Sequence, residues 1–365
     1  MRRVLIAALS FFAAIAAADG PEIGDGTHRL PERADDCDVA CTVSRSIVER
    51  LSAPRFDPFV AAPLPKAASA PSASPPPCVD LRCFEVQGTR WELYSSTDVD
   101  LIASLPVEGL WLRRIEPAGA QRSFYLGLKL HQPFVLAPGD LPMIADGELR
   151  LAMRRDEIVR ESIQFPSVEF ETRRDDTDVE LHAPLAQIMR DTDGDGLTDL
   201  LERQLLLDPA RSDSDGDGIG DAADALPNVP FTPADTPRRR AFARLLTRVL
   251  NLEAPNSPGL VSLAPTASSF VPHGERTLYL VTDPRDAAGL TSGFRIVVIP
   301  PTSLGALRRD ATAFGVFYPV TFTLDLDETH GTGKLEYTVA LSGGTLTLKF
   351  EQGEWSVVSE TRWVI

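Results

Sequence analysis

The chain has 365 residues, enough for two or three domains with sizeable cores, and a formal net charge of −16. So acidic a balance argues against phosphate-bearing partners, which sets aside nucleic acid and anionic membrane surfaces. Met1-Arg2-Arg3 is a basic start, Val4 to Ala18 is apolar apart from Ser10, and Ala16-Ala17-Ala18 before Asp19 supplies the small residues of a cleavage site. Residues 1–18 therefore read as a signal peptide, and the paired arginine also suits a twin-arginine route. No later stretch offers the roughly 20 apolar residues of a transmembrane helix. The expected location is exported: periplasmic, cell-surface or secreted. There, Cys37, Cys41, Cys78 and Cys83 are expected to form two disulfides, with three connectivities open. A Cys₄ zinc site is the competing reading, and the spacings C-x₃-C and C-x₄-C do not favour it.

Residues 19–77 read as an N-terminal arm. Asp36 to Leu51 can form one amphipathic helix, and Ala61 to Pro77 is an Ala/Pro/Ser linker that cannot build a core. From 78 to 182 the pattern turns to β. Gly109–Ile115, Ser123–His131, Leu149–Met153 and Val168–Thr172 are rich in aromatic and branched residues, with turn signals such as Pro138-Gly139-Asp140 between them. An antiparallel sandwich of immunoglobulin-like or jelly-roll type is the expected class.

Residues 183–230 carry an internal repeat. Asp191, Asp193, Asp195, Gly196, Asp199 and Glu202 are followed 22 residues later by Asp213, Asp215, Asp217, Gly218, Asp221 and Asp224. A hard cation such as Ca²⁺ takes about 6–8 oxygens, and a short loop delivers them when alternate side chains converge while the backbone curls around the ion. The carboxylates at loop positions 1, 3 and 5 converge, and glycine follows where the bend needs positive φ. Position 7, Leu197 or Ile219, gives a backbone carbonyl. Position 9, Asp199 or Asp221, binds directly or through water, and position 12, Glu202 or Asp224, closes the shell. Glu202 is long enough to be bidentate, so the second loop ranks as the weaker site. From Asp191 to Asp224, ten Asp and Glu202 stand against Arg203 and Arg211, a local net charge of −9 that two Ca²⁺ would reduce by four. The runs DTDGDGLTDLLE and LLLDPARSDSDGDGIGD resemble the thrombospondin type 3-like calcium repeats of bacterial secreted proteins, which share the EF-hand loop pattern. The resemblance covers about a tenth of the chain and implies calcium binding. Thr198 and Gly220 stand where paired EF-hands carry an aliphatic residue, and Pro209 interrupts the run leading into the second loop, so a static site is expected rather than an opening sensor.

Residues 231–365 read as an α+β unit. A helix is expected from Asp235 to Leu252, with Thr236 as cap and Pro237 at its first position. Strands are expected at Thr277–Val281 and Phe294–Ile299, then an antiparallel meander at Val320–Asp327, Lys334–Leu341, Thr345–Phe350 and Trp355–Val364. The pattern has an NTF2-like look, a curved sheet clasping a helix. The whole is thus expected to be multidomain and mainly β: a β-sandwich-like domain, an EF-hand-like calcium loop pair, then a C-terminal helix plus antiparallel sheet.

Catalytic motifs are scarce. His28, His131, His182, His273 and His330 are scattered, with no HExxH or G-x-S-x-G arrangement, and Asp325, Asp327, Glu328 and His330 read as a solvated hairpin tip. The first expectation is therefore a non-enzymatic calcium-binding protein in which Ca²⁺ orders the joint between two β-rich modules. The alternatives are a hydrolase with structural calcium and an adhesion or envelope-complex component that binds an envelope protein, an extracellular protein or a glycan.

Overall fold

The computed structural model describes residues 3–5, 37–52, 58–63, 82–95, 109–128, 134–136, 143–164, 167–232, 236–250, 277–290, 292, 295–309, 320–339 and 342–364. The cleavage site, most of the Ala/Pro/Ser stretch, Cys78, His28, His131 and His273 lie outside them.

Alternation of large side chains builds the first sheet, in the order β3 (Arg82–Val86), β4 (Thr89–Ser95), β5 (Leu110–Ile115) and β6 (Gln121–Tyr125), all antiparallel. Gln87-Gly88 closes the first hairpin with positive φ at both positions, the two-residue turn whose twist matches that of the strands. Trp91, Leu93, Leu110, Leu112 and Phe124 pack against Leu149, Leu151, Met153, Leu181 and Ala183 of a second sheet. That second sheet is dominated by a hairpin of β9 (Glu148–Gln164) and β10 (Ser167–Pro184). The expected short strands at Leu149–Met153 and Val168–Thr172 are thus parts of two long ones, because no Gly or Pro interrupts Glu148 to Gln164. Around the hairpin, β2 (Val60–Pro63) and β1 (Arg3–Leu5) pair with β10, while β7 (Phe134–Leu136) and β8 (Ile144–Ala145) pair with β9. Two sheets face to face fit the expected sandwich-like, β-rich class.

The C-terminal sheet has the order β12-β11-β13-β14-β15-β16, formed by β11 (Thr277–Val281), β12 (Arg295–Ile299), β13 (Val320–Asp327), β14 (Thr332–Val339), β15 (Ser342–Glu351) and β16 (Glu354–Val364). Here the expected all-antiparallel, NTF2-like arrangement is corrected: β11 pairs in parallel with both β12 and β13. Parallel strands need crossovers, and these run through two helices, Pro284–Ala287 and Pro301–Arg309. Both were hidden by their shortness. The sequence signal was RIVVI in β12, buried at every position as covered parallel strands are.

Two helices outside that sheet belong to its core. Pro237–Leu250 lays Phe242, Leu245, Leu246 and Leu250 inward, with Phe242 edge-on to Phe322 at 6.1 Å. Val39–Ser52 is the helix expected in the N-terminal arm, and it docks on the C-terminal core. Val43 and Ile47 are buried in the C-terminal core, and Ser44 meets Thr302 at 3.1 Å. An amphipathic face seeks an apolar surface wherever the chain supplies one. Cys37 is bridged to Cys41 at the start of this helix, and Cys83 is also disulfide-bonded. That pairing is the local one among the three open connectivities.

Candidate metal centre

The segment between the sandwich and the C-terminal unit is held from both sides. On one side Trp111, stacked with Tyr94 and tilted against Tyr125, shares a core with Leu197, Leu200 and Leu201. On the other, Asn228 Nδ2 donates to the Val298 carbonyl at 2.7 Å and its Oδ1 accepts from the Val298 N–H at 3.0 Å. Ile296 N–H donates to the Ala225 carbonyl at 2.7 Å, which ties the segment's exit to the edge strand β12. Tyr279 Oη reaches the Gln204 carbonyl at 2.8 Å.

Within this clamp the two acidic loops repeat each other bond for bond. Asp191 Oδ1 and Oδ2 accept from the N–H groups of Gly194 and Gly196 at 2.8 and 3.1 Å, and Asp213 does the same with Gly216 and Gly218 at 2.7 and 2.9 Å. Asp195 accepts from Leu197 N–H at 2.7 Å, and Asp217 from Ile219 N–H at 2.8 Å. Gly196 and Gly218, with φ of 105° and 95°, make the bend that a side chain would strain. One carboxylate oxygen from each of Asp191, Asp193 and Asp195 falls within 4.8 Å of the others, and the same holds for Asp213, Asp215 and Asp217.

The position 9 carboxylates also carry hydrogen bonds within their own loops. Asp199 accepts from Thr192 N–H and Thr192 Oγ1, both at 2.9 Å, and from Arg190 Nε at 2.6 Å. Asp221 accepts from Ser214 N–H and Oγ at 2.8 and 2.6 Å. Both are buried, and both tie the loop's second residue to its ninth. The Thr192/Ser214 match at the same 22-residue spacing was the available signal. Position 7 is unequal too: Leu197 is 7% exposed and belongs to the core, whereas Ile219 is 41% exposed.

Position 12 gives the clearest demand. Glu202 lies on the short helix Asp199–Gln204 and is fully buried, yet among the described residues neither of its oxygens has a hydrogen-bond partner. Asp193 Oδ2, Asp215 Oδ2 and Asp224 Oδ2 are buried and unpartnered in the same way. These are positions 3 and 12 of both loops. A buried carboxylate without donors is destabilising by several kcal/mol as an anion. Burial, followed by the charges of Asp193, Asp195, Asp221 and Asp199, pushes Glu202 up to about 9. Burial and neighbouring Asp217 push Asp215 up to about 7, and burial raises Asp193 and Asp224. Position 1 contrasts: burial would raise Asp213, but the N–H groups of Gly218 and Gly216 outweigh it and hold it low.

Two ties and a cation join the loops to what surrounds them. Asp195 Oδ2 accepts from Ala222 N–H at 3.1 Å, linking the first loop to the second, and Asp217 Oδ2 accepts from Phe231 N–H at 2.9 Å. Arg295, buried at the start of β12, lies within electrostatic reach of Asp195, Asp221 and Asp224. No sequence rule would have joined Arg295 to this cluster. The triads at positions 1, 3 and 5 converge hard oxygen donors, and each loop adds orphaned carboxylate oxygens at positions 3 and 12, so the residues fit a divalent oxygen-seeking cation in each loop. Among the described residues no helix is long and apolar enough to cross a membrane. No family model, curated protein or solved structure matches this chain.

Proposed function

We propose that the two loops bind two Ca²⁺ ions and that these order the joint between the sandwich and the C-terminal unit of an exported protein. The observation that carries this reading is the set of buried, unpartnered carboxylate oxygens at positions 3 and 12 of both loops. Asp191, Asp193, Asp195, the Leu197 carbonyl and Glu202 would hold one ion. Asp213, Asp215, Asp217, the Ile219 carbonyl and Asp224 would hold the other, with Asp199 and Asp221 bracing the loops. The likeness of the repeat to thrombospondin type 3-like calcium loops supports the same choice of metal. The role of the ion is structural: it neutralises side chains that otherwise repel, and so fixes a segment that both modules grip. The basic and apolar start of the chain supports export, where free Ca²⁺ near 10⁻⁴–10⁻³ M suits extracellular calcium modules. Titration calorimetry of the full chain after EDTA treatment tests the reading. Two Ca²⁺ per chain in that range are expected, and no binding heat up to about 10⁻² M overturns it.

A further inference from the structure

The C-terminal sheet turns one face to its core and the other to solvent. On the solvent side, one row in register across β13, β14, β15 and β16 reads Thr321, Thr338, Gly343 and Trp363, and the next row brings Thr345 beside Thr361. Among the described residues nothing engages the hydroxyls of Thr345 and Thr361. Exposed strands favour threonine on their own account. They do not favour glycine, yet Gly343 and Gly344 lie side by side within β15. Each makes room for a ring. A Cβ on Gly344 would meet the Tyr337 hydroxyl on the core side at 2.7 Å, and one on Gly343 would clash with Cζ2 and Cε2 of Trp363 on the solvent side. Tyr337 serves the core, whereas Trp363 is seated over the backbone and still 42% exposed.

The chemistry around that indole selects what it would hold. Its row carries no charge, Lys334 and Glu336 farther along the face pair with each other, and Arg362 is paired with Glu360. A chain of net charge −16 repels anions. A protein partner would ask for a wider apolar patch than a single ring provides. A sugar ring meets these terms, since its C–H face stacks on an aromatic surface while its hydroxyls exchange hydrogen bonds with threonine. Side chains on neighbouring strands stand about 4.5–5.5 Å apart, the order of one such ring.

We propose that this solvent face binds an extended neutral polysaccharide, with Trp363 as the stacking platform and Thr338, Thr345 and Thr361 as its hydroxyl contacts. None of these residues belongs to the acidic loops, so the site is independent of the calcium reading.

The test is electrophoresis of the full chain, with Ca²⁺ present, in native gels cast with hydroxyethyl cellulose, galactomannan or xyloglucan, and with carboxymethyl cellulose as the anionic control. At least one neutral polymer retards the protein, and the anionic one does not. Trp363→Ala lowers the affinity read from the retardation by about tenfold or more, and Trp363→Phe restores most of it. Thr345→Val with Thr361→Val, which keeps the shape and removes the hydroxyls, lowers it by about threefold or more. Val358→Ser, which removes the other large exposed apolar side chain of β16, leaves it unchanged. Circular dichroism checks each fold, and if Trp363→Ala loses its own, the threonine pair carries the test. No retardation by any of the three neutral polymers, equal retardation by carboxymethyl cellulose, or undiminished binding by folded Trp363→Ala or by the threonine pair overturns the proposal.

Discussion

Glu202 concentrates the electrostatics of the joint in one side chain. Its carboxyl is raised from an ordinary 4.5 to about 9 by burial and by the surrounding aspartates, so without a cation the folded chain keeps a proton that the unfolded chain loses near 4.5. Over that window the folded state binds more protons, and the stability of the chelator-treated protein falls as pH rises, by up to about 1.4 kcal/mol per pH unit from this group. Denaturant melts in EDTA at pH 5 and pH 8 should show the drop, and Glu202→Gln should reduce it to the share left by Asp215 and its neighbours. An unchanged slope in the variant would show that the proton sits elsewhere. Asp199 allows a second test at this scale. Asp199→Asn drops the charge that faces Arg190 while leaving an oxygen for Thr192, so it should keep two ions per chain while weakening the first site, whereas Asp193→Asn should remove one ion outright. Equal loss of stoichiometry in both variants would return Asp199 to the ligand set.

Among the elements, what was legible in the sequence was local. The loops stood out because their spacing repeats, the helix at Pro237–Leu250 because Thr236-Pro237 marks its start, and β13 to β16 because large side chains alternate along them. What stayed hidden depended on distant partners. The parallel pairing of β11 with β12 and β13 hangs on two short crossover helices, and the docking of Val39–Ser52 on Thr302 spans 258 residues. Two predictions follow the hidden contacts. Ile47→Ala opens a cavity in the C-terminal core and should lower stability by about 2–5 kcal/mol, although Ile47 lies far upstream of that unit. Asn228→Ala strands the buried N–H and C=O of Val298 and should lower stability by about 2–4 kcal/mol with Ca²⁺ stoichiometry intact. Urea titrations in Ca²⁺ read both, and a change below about 0.5 kcal/mol would deny the contact its role.

At the scale of the whole molecule the acidic segment is a layer between two bodies. The aromatic face of the first sheet packs on its leucines, β12 is hydrogen-bonded to its exit at Ala225, and Asp195 and Asp217 tie its loops to Ala222 and Phe231. A layer gripped on both faces transmits its own order to the bodies it joins. On the calcium reading proposed above, Ca²⁺ at about 100 times its dissociation constant would add about 2.7 kcal/mol per ion to the folded state. The loss of that contribution in chelator falls first on the loops. Amide hydrogen exchange of the full chain in Ca²⁺ and in EDTA, followed across residues 190–232, measures this directly. The N–H groups of Gly196, Gly218 and Ala222 should be protected with Ca²⁺ and exchange at least about tenfold faster in EDTA, while Phe322 and Leu335 in the C-terminal sheet change little. Equal protection of the loop amides in both conditions would contradict it.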